Sequence, residues 1–311
     1  MADFGNKVHW IEVKIICDGE LAEALAEVLG RFVSNGIVVE SVTRFNPHTQ
    51  ENEPTGDLAV FGYLPVDENL EDTRRKLEEA LWHLNQIAPI PKPTYSPIKD
   101  EDWMDSWKRH YTPLRIGDRL LITPAWQEPE HDPDRIVIRI NPALAFGTGT
   151  HPSTQLCLRL MEHQLKPGGN VIDVGCGSGI LSIAAIKLGA VHVLGVDVNS
   201  QAITATIENA RLNDIPPAIL ETSKGSVEEI LTGRLTIKKA PLVLVNILAP
   251  VIINLFNNGL GDLVSENGDL LLSGILSHQV EEVLMAADQA GFVLAEQLED
   301  GDWVSLAVRK E

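Results

Sequence analysis

A chain of 311 residues, 44 % apolar and 22 % charged, has the composition of an ordinary globular protein with room for about two domains. Its net charge of −19 argues against a surface built for nucleic-acid phosphates and suits a basic partner. Cys17, Cys157 and Cys176 are scattered and form no C-x-x-C pair, so neither a disulfide framework nor a metal site is expected, and a reducing cytoplasm is the simplest location.

The N-terminus shows no basic region followed by an apolar run, so no signal peptide is expected. His9 to Cys17 alternates as a strand does. Leu21, Leu25, Val28, Leu29 and Phe32 then recur at helical spacing, and Gly36 marks a stop before a strand from Ile37 to Val42. A polar loop rich in Asn, Pro and Glu precedes a strand from Leu58 to Leu64. Leu70, Leu77, Leu81, Leu84 and Ile87 mark an amphipathic helix starting near Asp67, and Pro93 to Ile98 supplies a last strand. The order β-α-β-β-α-β predicts a small ferredoxin-like α+β domain over residues 1–98, a fold that often serves recognition.

Residues 99–115 read as a helical linker. Trp103 and Trp107 lie four apart and so share one helix face, either packing linker to domain or forming a wall for incoming substrate. Residues 116–311 read as a second domain. Short strands are expected around Leu120 to Ile122 and Arg135 to Ile140. The segment Asn141 to Thr154, with its Gly, Thr and His residues, is unusual for a mere connector. Thr150, Ser153 and Thr154 offer hydroxyls for capping or binding, and Pro152 suits the first turn of a helix through Met161. His151 alone is no evidence of a base.

Val171 to Val174 is a strand that runs into Gly175, Gly177 and Gly179, and a helical pattern follows through Leu188. Such a turn lets a ligand lie against bare backbone at a helix N-terminus. The next strand, Val191 to Val196, ends at Asp197, 22 residues after Gly175, where a carboxylate meets ribose hydroxyls. G-x-G-x-G led by Asp173 is not the G-x-G-x-x-G of a dinucleotide site, because the third glycine comes one position early. Cys176 fits between glycines as a small residue rather than a nucleophile. A helix from Gln201 to Asn213, a strand from Pro217 to Glu221, a short helix near Val227 to Leu231, and a strand from Pro241 to Asn246 follow. A strand from Asp269 to Ser273, a helix from Gln279 to Ala290 and strands near Phe292 to Gln297 and Trp303 to Arg309 complete the chain. The most apolar run, Leu242 to Phe256, is broken by Asn246, Pro250 and Asn254 and is too short to span a bilayer. Alternating β and α elements predict a Rossmann-like, mostly parallel sheet with helices on both faces. Gly175, Asp197 and Asn246 all follow strands and so share its ligand-binding rim.

Asp173-Val-Gly-Cys-Gly-Ser-Gly with Gly195-Val-Asp197 resembles the nucleoside-binding signature of class I S-adenosylmethionine methyltransferases. Glu101-Asp-Trp-Met-Asp-Ser-Trp-Lys, Leu144-Ala-Phe-Gly-Thr-Gly-Thr-His-Pro-Ser-Thr, Asn246-Ile-Leu-Ala and Leu272-Ser-Gly-Ile-Leu are similar to the bacterial ribosomal protein L-eleven methyltransferase (PrmA) family. That resemblance implies S-adenosylmethionine contacts at Thr154, Gly175, Asp197 and Asn246, with Asp173 and Gly177 in the same signature. It implies N-methylation of lysine side chains and the N-terminal amine of the basic ribosomal protein L-eleven, with no direct nucleic-acid or membrane binding. Asn246 is then the catalytic candidate, standing where related amino-methyltransferases carry Asn or Asp before Pro-Pro and an aromatic. Here Ile247, Leu248 and Ala249 replace that triplet, so an aromatic wall must come from Phe146 or the Trp103 region. No general base is evident. The rival expectations are a methyltransferase of the same fold acting on another protein's lysine or a small amine, and a cofactor-binding module whose catalysis has decayed.

Overall fold

The computed structural model describes residues 8–33, 37–46, 51–86, 89–99, 113–128, 132–141, 147–233 and 235–311. The chain divides into two compact units, residues 1–112 and 113–311.

In the N-terminal unit, β1 (Val8–Cys17), α1 (Gly19–Gly30), β2 (Val38–Asn46), β3 (Glu51–Pro65), α2 (Leu70–Asn85) and β4 (Thr94–Lys99) build one antiparallel sheet ordered β2-β3-β1-β4. That is the expected ferredoxin-like arrangement. Inward residues at alternate positions of the central strands, Val13 and Ile15 on β1 and Val60 and Leu64 on β3, meet Leu25 and Leu29 of α1 and Leu77 and Leu81 of α2. Asp18 starts α1 by accepting from the Leu21 amide at 3.0 Å. The polar stretch expected as a loop before Leu58 is instead strand from Glu51. Main-chain pairing with β2 carries on past a register shift at Ser41/Thr43, and it needs no apolar side chains. The expected helical linker is also corrected at its ends, since Lys99 belongs to β4 and residues 114–115 to a strand. Trp103 and Trp107 lie outside the described residues.

The second unit opens with a three-stranded sheet of β5 (Leu114–Ile116), β6 (Leu120–Pro124) and β7 (Ile136–Ile140). Then follow α3 (Pro152–Gln164), β8 (Asn170–Val174), α4 (Ile180–Leu188), β9 (His192–Asp197), α5 (Ser200–Leu212), β10 (Leu220–Lys224), α6 (Val227–Leu231), β11 (Ala240–Asn246), α7 (Ala249–Asn257), β12 (Val264–Leu276), α8 (Val280–Gln289), β13 (Phe292–Asp300) and β14 (Trp303–Lys310). The large sheet runs β10-β9-β8-β11-β12-β14-β13. It is parallel from β10 to β12, and β14 is antiparallel to both of its neighbours.

Period-two alternation divides the core. On β11, Leu242 and Leu244 face the layer of α3 and α4, while Val243 and Val245 face that of α6, α7 and α8. The chain leaves β8 toward β9 and β10 on one side and returns through β11 and β12 on the other. The order therefore reverses between β8 and β11, which places the ligand crevice of such a sheet at their carboxyl ends.

Three details depart from the sequence reading. Helix α7 was not expected, yet Pro250 sits in its first turn, the one place in a helix where proline costs little. Strand β10 starts at Leu220 rather than Pro217, because Pro216 accepts the amides of Ile219 and Leu220 in a turn. Strand β12 extends well beyond Asp269 to Ser273 at both ends. Among the described residues no helix is long and apolar enough to cross a membrane.

Candidate functional site

The turn after β8 is held by its own backbone. The amides of Gly175 and Cys176 both donate to the Val196 carbonyl, at 2.8 and 3.0 Å, which ties the turn to the end of β9. Gly175 has φ +78°, and a Cβ there would stand 2.7 Å from Ile247 Cγ2. Both the left-handed backbone and the close approach therefore exclude a side chain. Gly179 begins α4 in the left-handed region, and the Ile180 amide that follows donates to Ser178 Oγ at 3.3 Å.

Pairing sets what lies beside the turn. Val174 is level with Val196 on β9 and with Val245 on β11, so Asp197 and Asn246 come next on either side of Gly175. Asp197 Oδ2 accepts from the Gly177 amide at 3.0 Å and Oδ1 from the Asn199 amide at 2.8 Å. Each oxygen keeps a lone pair for another donor. Beyond Asp197, Val198, Lys224, Gly225, Ser226 and Asn254 help to line a cavity of about 890 Å³.

Asp173 lies beneath the turn, fully buried. Ser182 Oγ of α4 donates to its Oδ2 at 2.6 Å, while Oδ1 has no partner. Burial raises its pKa from 3.8 to about 7, against the lowering effect of the Ser182 bonds and with a smaller raising contribution from Asp197. It braces the turn from inside rather than lying open on the rim.

On the other side of β8, α3 points its N-terminus at the end of β11. Its cap is His151, not Ser153 or Thr154. His151 Nδ1 accepts from the Ser153 amide at 3.2 Å and lies 2.7 Å from Ser153 Oγ, and its ring meets Trp303 edge-on at 4.5 Å. Burial lowers its pKa from 6.5 to about 4, so the ring is neutral at ordinary pH. Beneath this turn, Ser273 Oγ donates to the Ser153 carbonyl at 2.8 Å and lies 2.5 Å from Ser305 Oγ, and all three serines are fully buried. Because Ser273 is level with Asn246 across β12 and β11, this chain fixes the helix start relative to Asn246.

Asn246 is the polar group at which these elements meet. Its Nδ2 donates to Thr154 Oγ1 at 3.3 Å, and its Oδ1 is buried with no partner. A buried carbonyl without a donor is costly, and at a strand end beside the glycine turn this one is placed to accept from a ligand. Ile247 passes between Gly175 and Gly274, and a Cβ on Gly274 would collide with the Ile247 carbonyl.

The structure thus brings together Thr154, Gly175, Gly177, Asp197 and Asn246, and sets Asp173 below them. Phe146, like the two tryptophans, lies outside the described residues. The sequence reading missed the buried polar face of α5, formed by Thr206, Asn209 and Asn213. Its signal was visible as three polar residues at spacings of three and four on a helix that needs an apolar stripe. Among the described residues, no cluster of His, Cys, Asp and Glu could hold a metal ion.

The model of the family described as ribosomal protein L11 methyltransferase (PrmA) matches residues 9–311. A ribosomal protein L11 methyltransferase of Chloroflexus aurantiacus is 34 % identical over 322 residues, covering 97 % of this chain and 98 % of its own. One from Caldanaerobacter subterraneus subsp. tengcongensis is 34 % identical over 317 residues, covering 98 % and 100 %. A crystal structure described as ribosomal protein L11 methylase from Lactobacillus delbrueckii subsp. bulgaricus aligns with TM-score 0.57 at 34 % identity, covering 65 % of this chain and all of that one.

Proposed function

The chain belongs to the ribosomal protein L11 methyltransferase (PrmA) family, and from that premise we propose that it transfers methyl groups from S-adenosylmethionine to the lysine side chains and N-terminal amine of ribosomal protein L11. The observation that carries this reading is Asn246, whose amide is tied on one side to Thr154 and orphaned on the other beside a bare glycine turn.

The residues fit the cofactor. The glycine turn offers backbone that a ligand can approach closely, Asp197 retains acceptor capacity for vicinal ribose hydroxyls, and the cavity past Val198 leaves space for a nucleoside base. When bound, S-adenosylmethionine supplies a methyl group on a sulfonium that is already a good leaving group.

What remains for the protein is positioning and deprotonation. A lysine ammonium has an ordinary pKa of about 10.4 and no lone pair to attack with. Its proton must leave to solvent before transfer, and partial desolvation at the rim favours the neutral amine. Asn246 Oδ1 then accepts an N–H from that amine and aims the lone pair, while the bond to Thr154 holds the amide in place at the strand end. His151 is buried as a neutral cap, and no side chain is assigned as a general base.

We place substrate recognition in residues 1–98 and the reaction in the cytoplasm. The net charge of −19 supports a basic protein partner rather than a nucleic acid, and Cys17, Cys157 and Cys176 are free and buried, in keeping with a reducing compartment. The test is transfer of a labelled methyl group from the cofactor to purified L11, with small amines as competitors. Labelling of L11 at the expected amines supports the assignment. Binding of the cofactor with labelling only of small amines would overturn the substrate, and no binding would overturn the site.

A further inference from the structure

The buried polar face of α5 has no place in the chemistry above. Asn209 is fully buried and uses both ends of its amide. Nδ2 donates to the Ser178 carbonyl in the glycine turn at 2.9 Å, and Oδ1 accepts the Asn141 amide at 2.8 Å. Ser178 in turn donates from Oγ to the Gly147 carbonyl at 2.5 Å, and Gly147 sits so close that a Cβ there would stand 2.9 Å from that Oγ. One side chain therefore holds the glycine turn and residue 141, and through Ser178 it also reaches residue 147. Both ends of the segment that leads into α3 and Thr154 are fastened at one point. Thr206, a turn earlier on α5, adds a bond from Oγ1 to the Gly177 carbonyl at 3.0 Å.

Asn213 is the natural contrast. It is also buried, but both ends of its amide bond a single residue, accepting the Arg139 amide at 2.9 Å and donating to the Arg139 carbonyl at 2.7 Å. Among the described residues its other bond is to the Asn209 carbonyl, and none goes to the glycine turn.

We infer that Asn209 is a positioning residue for methyl transfer, clasping residues 141 and 147 to the glycine turn so that the cofactor cradle and the approach to Thr154 keep one register. The inference rests on the site assignment above. An amide satisfied at both ends in a dry interior has one low-energy placement, and removing it frees the two backbone groups it fixes. Misplacement of a reacting group by about 1 Å is enough to cost on the order of 100-fold in rate.

The test compares Asn209→Ala, Asn213→Ala and Ser178→Ala in the full chain, reading melting temperature, S-adenosylmethionine affinity by calorimetry, and single-turnover methylation of L11 at saturating cofactor. Both Asn variants should lose several degrees of melting temperature, as buried amide deletions do in a domain of this size. Asn209→Ala should also bind cofactor about tenfold more weakly and transfer methyl on the order of 10- to 100-fold more slowly. Asn213→Ala should keep both within about twofold. Ser178→Ala removes the bond to the Gly147 carbonyl together with the longer one, 3.3 Å, that Ser178 Oγ accepts from the Ile180 amide, and leaves the Asn209 bond to the Ser178 carbonyl in place; it should move affinity and rate in the same direction by less, and it decides the matter if Asn209→Ala does not fold. Should the clasp variants match Asn213→Ala in affinity and rate, the clasp is wrong while the site stands. Failure of the unmodified protein to bind S-adenosylmethionine would overturn both.

Discussion

The neighbouring strand ends that frame the site, β8 at Val174 and β11 at Asn246, do opposite things with their side chains. After β8 the chain thins them out, so that a ligand can lie against bare main chain in a turn held by the Val196 carbonyl. At the end of β11 it supplies one amide, holds half of it with Thr154 and leaves the other half unpaired. Bare backbone suits the part of a ligand that is the same in every turnover. A single oriented acceptor suits the incoming amine, which must arrive in one pose and leave. Binding and alignment can thus be separated by mutation.

The largest expected effect comes from filling the bare end. Gly175→Ala forces a left-handed alanine and a contact with Ile247, and strain and overpacking of this kind cost about 1–3 kcal/mol each. Cofactor affinity measured by calorimetry should fall on the order of 100-fold or more. A folded variant with unchanged affinity would mean the turn does not touch the ligand.

Asn246→Ala tests the other end. Single-turnover transfer at saturating cofactor should slow on the order of 100-fold, with a smaller change in cofactor affinity. Asn246→Asp keeps an acceptor and should retain more activity than Ala. Transfer by the Ala variant at the unmodified rate would reduce Asn246 to a binding or capping residue.

Thr154→Val keeps the shape and deletes the acceptor for Asn246 Nδ2. A single neutral hydrogen bond is worth about 1 kcal/mol, so the single-turnover rate should drop about fivefold. The decisive pattern is non-additivity. In an Asn246→Ala background Thr154→Val should cost little further rate, and a full fivefold loss there would show that Thr154 acts independently.

A separate effect, on stability rather than on binding or rate, concerns Asp173, which lies under the bare end. Its pKa is raised from 3.8 to about 7, so the native state holds the proton more tightly than the unfolded chain. Its contribution to stability is therefore complete below about pH 4 and is lost as pH rises to about 7. Asp173→Asn should remove that slope and gain melting temperature relative to the unmodified protein at pH 8 compared with pH 4.5. Parallel melting curves for the two proteins across that range would refute the raised pKa.

Much of the rim was legible because local sequence dictates it. Three alternate glycines after four strand formers, an acid ending the next strand and an amide ending an apolar strand each carry their structural context in their neighbours. What escaped depends on contacts distant in sequence. Ser273 and Ser305 read as ordinary strand residues until pairing sets them under α3, and Asn209 reads as a helix surface until α5 packs on the turn. The hydroxyls of Ser153 and Thr154 could be read for capping or for binding, and the cap is the imidazole of His151, a residue type that rarely takes that role. Helix α7 was hidden by the prolines and asparagines that read as breaks in an apolar run.

Ile247 shows how the two strand ends constrain change in one another. Its side chain limits Gly175 and its carbonyl limits Gly274 of β12, so residues from three adjacent strands share one volume. A smaller residue at 247 would make room for a Cβ at 175 but would also loosen the support directly after Asn246. The order of substitutions therefore matters. A chain that first shrinks Ile247 passes through a poorly aligned amide, and one that first fills Gly175 passes through a weakened cradle. Either single replacement is therefore expected to lower activity, and only the two made together test whether position 175 can carry a side chain.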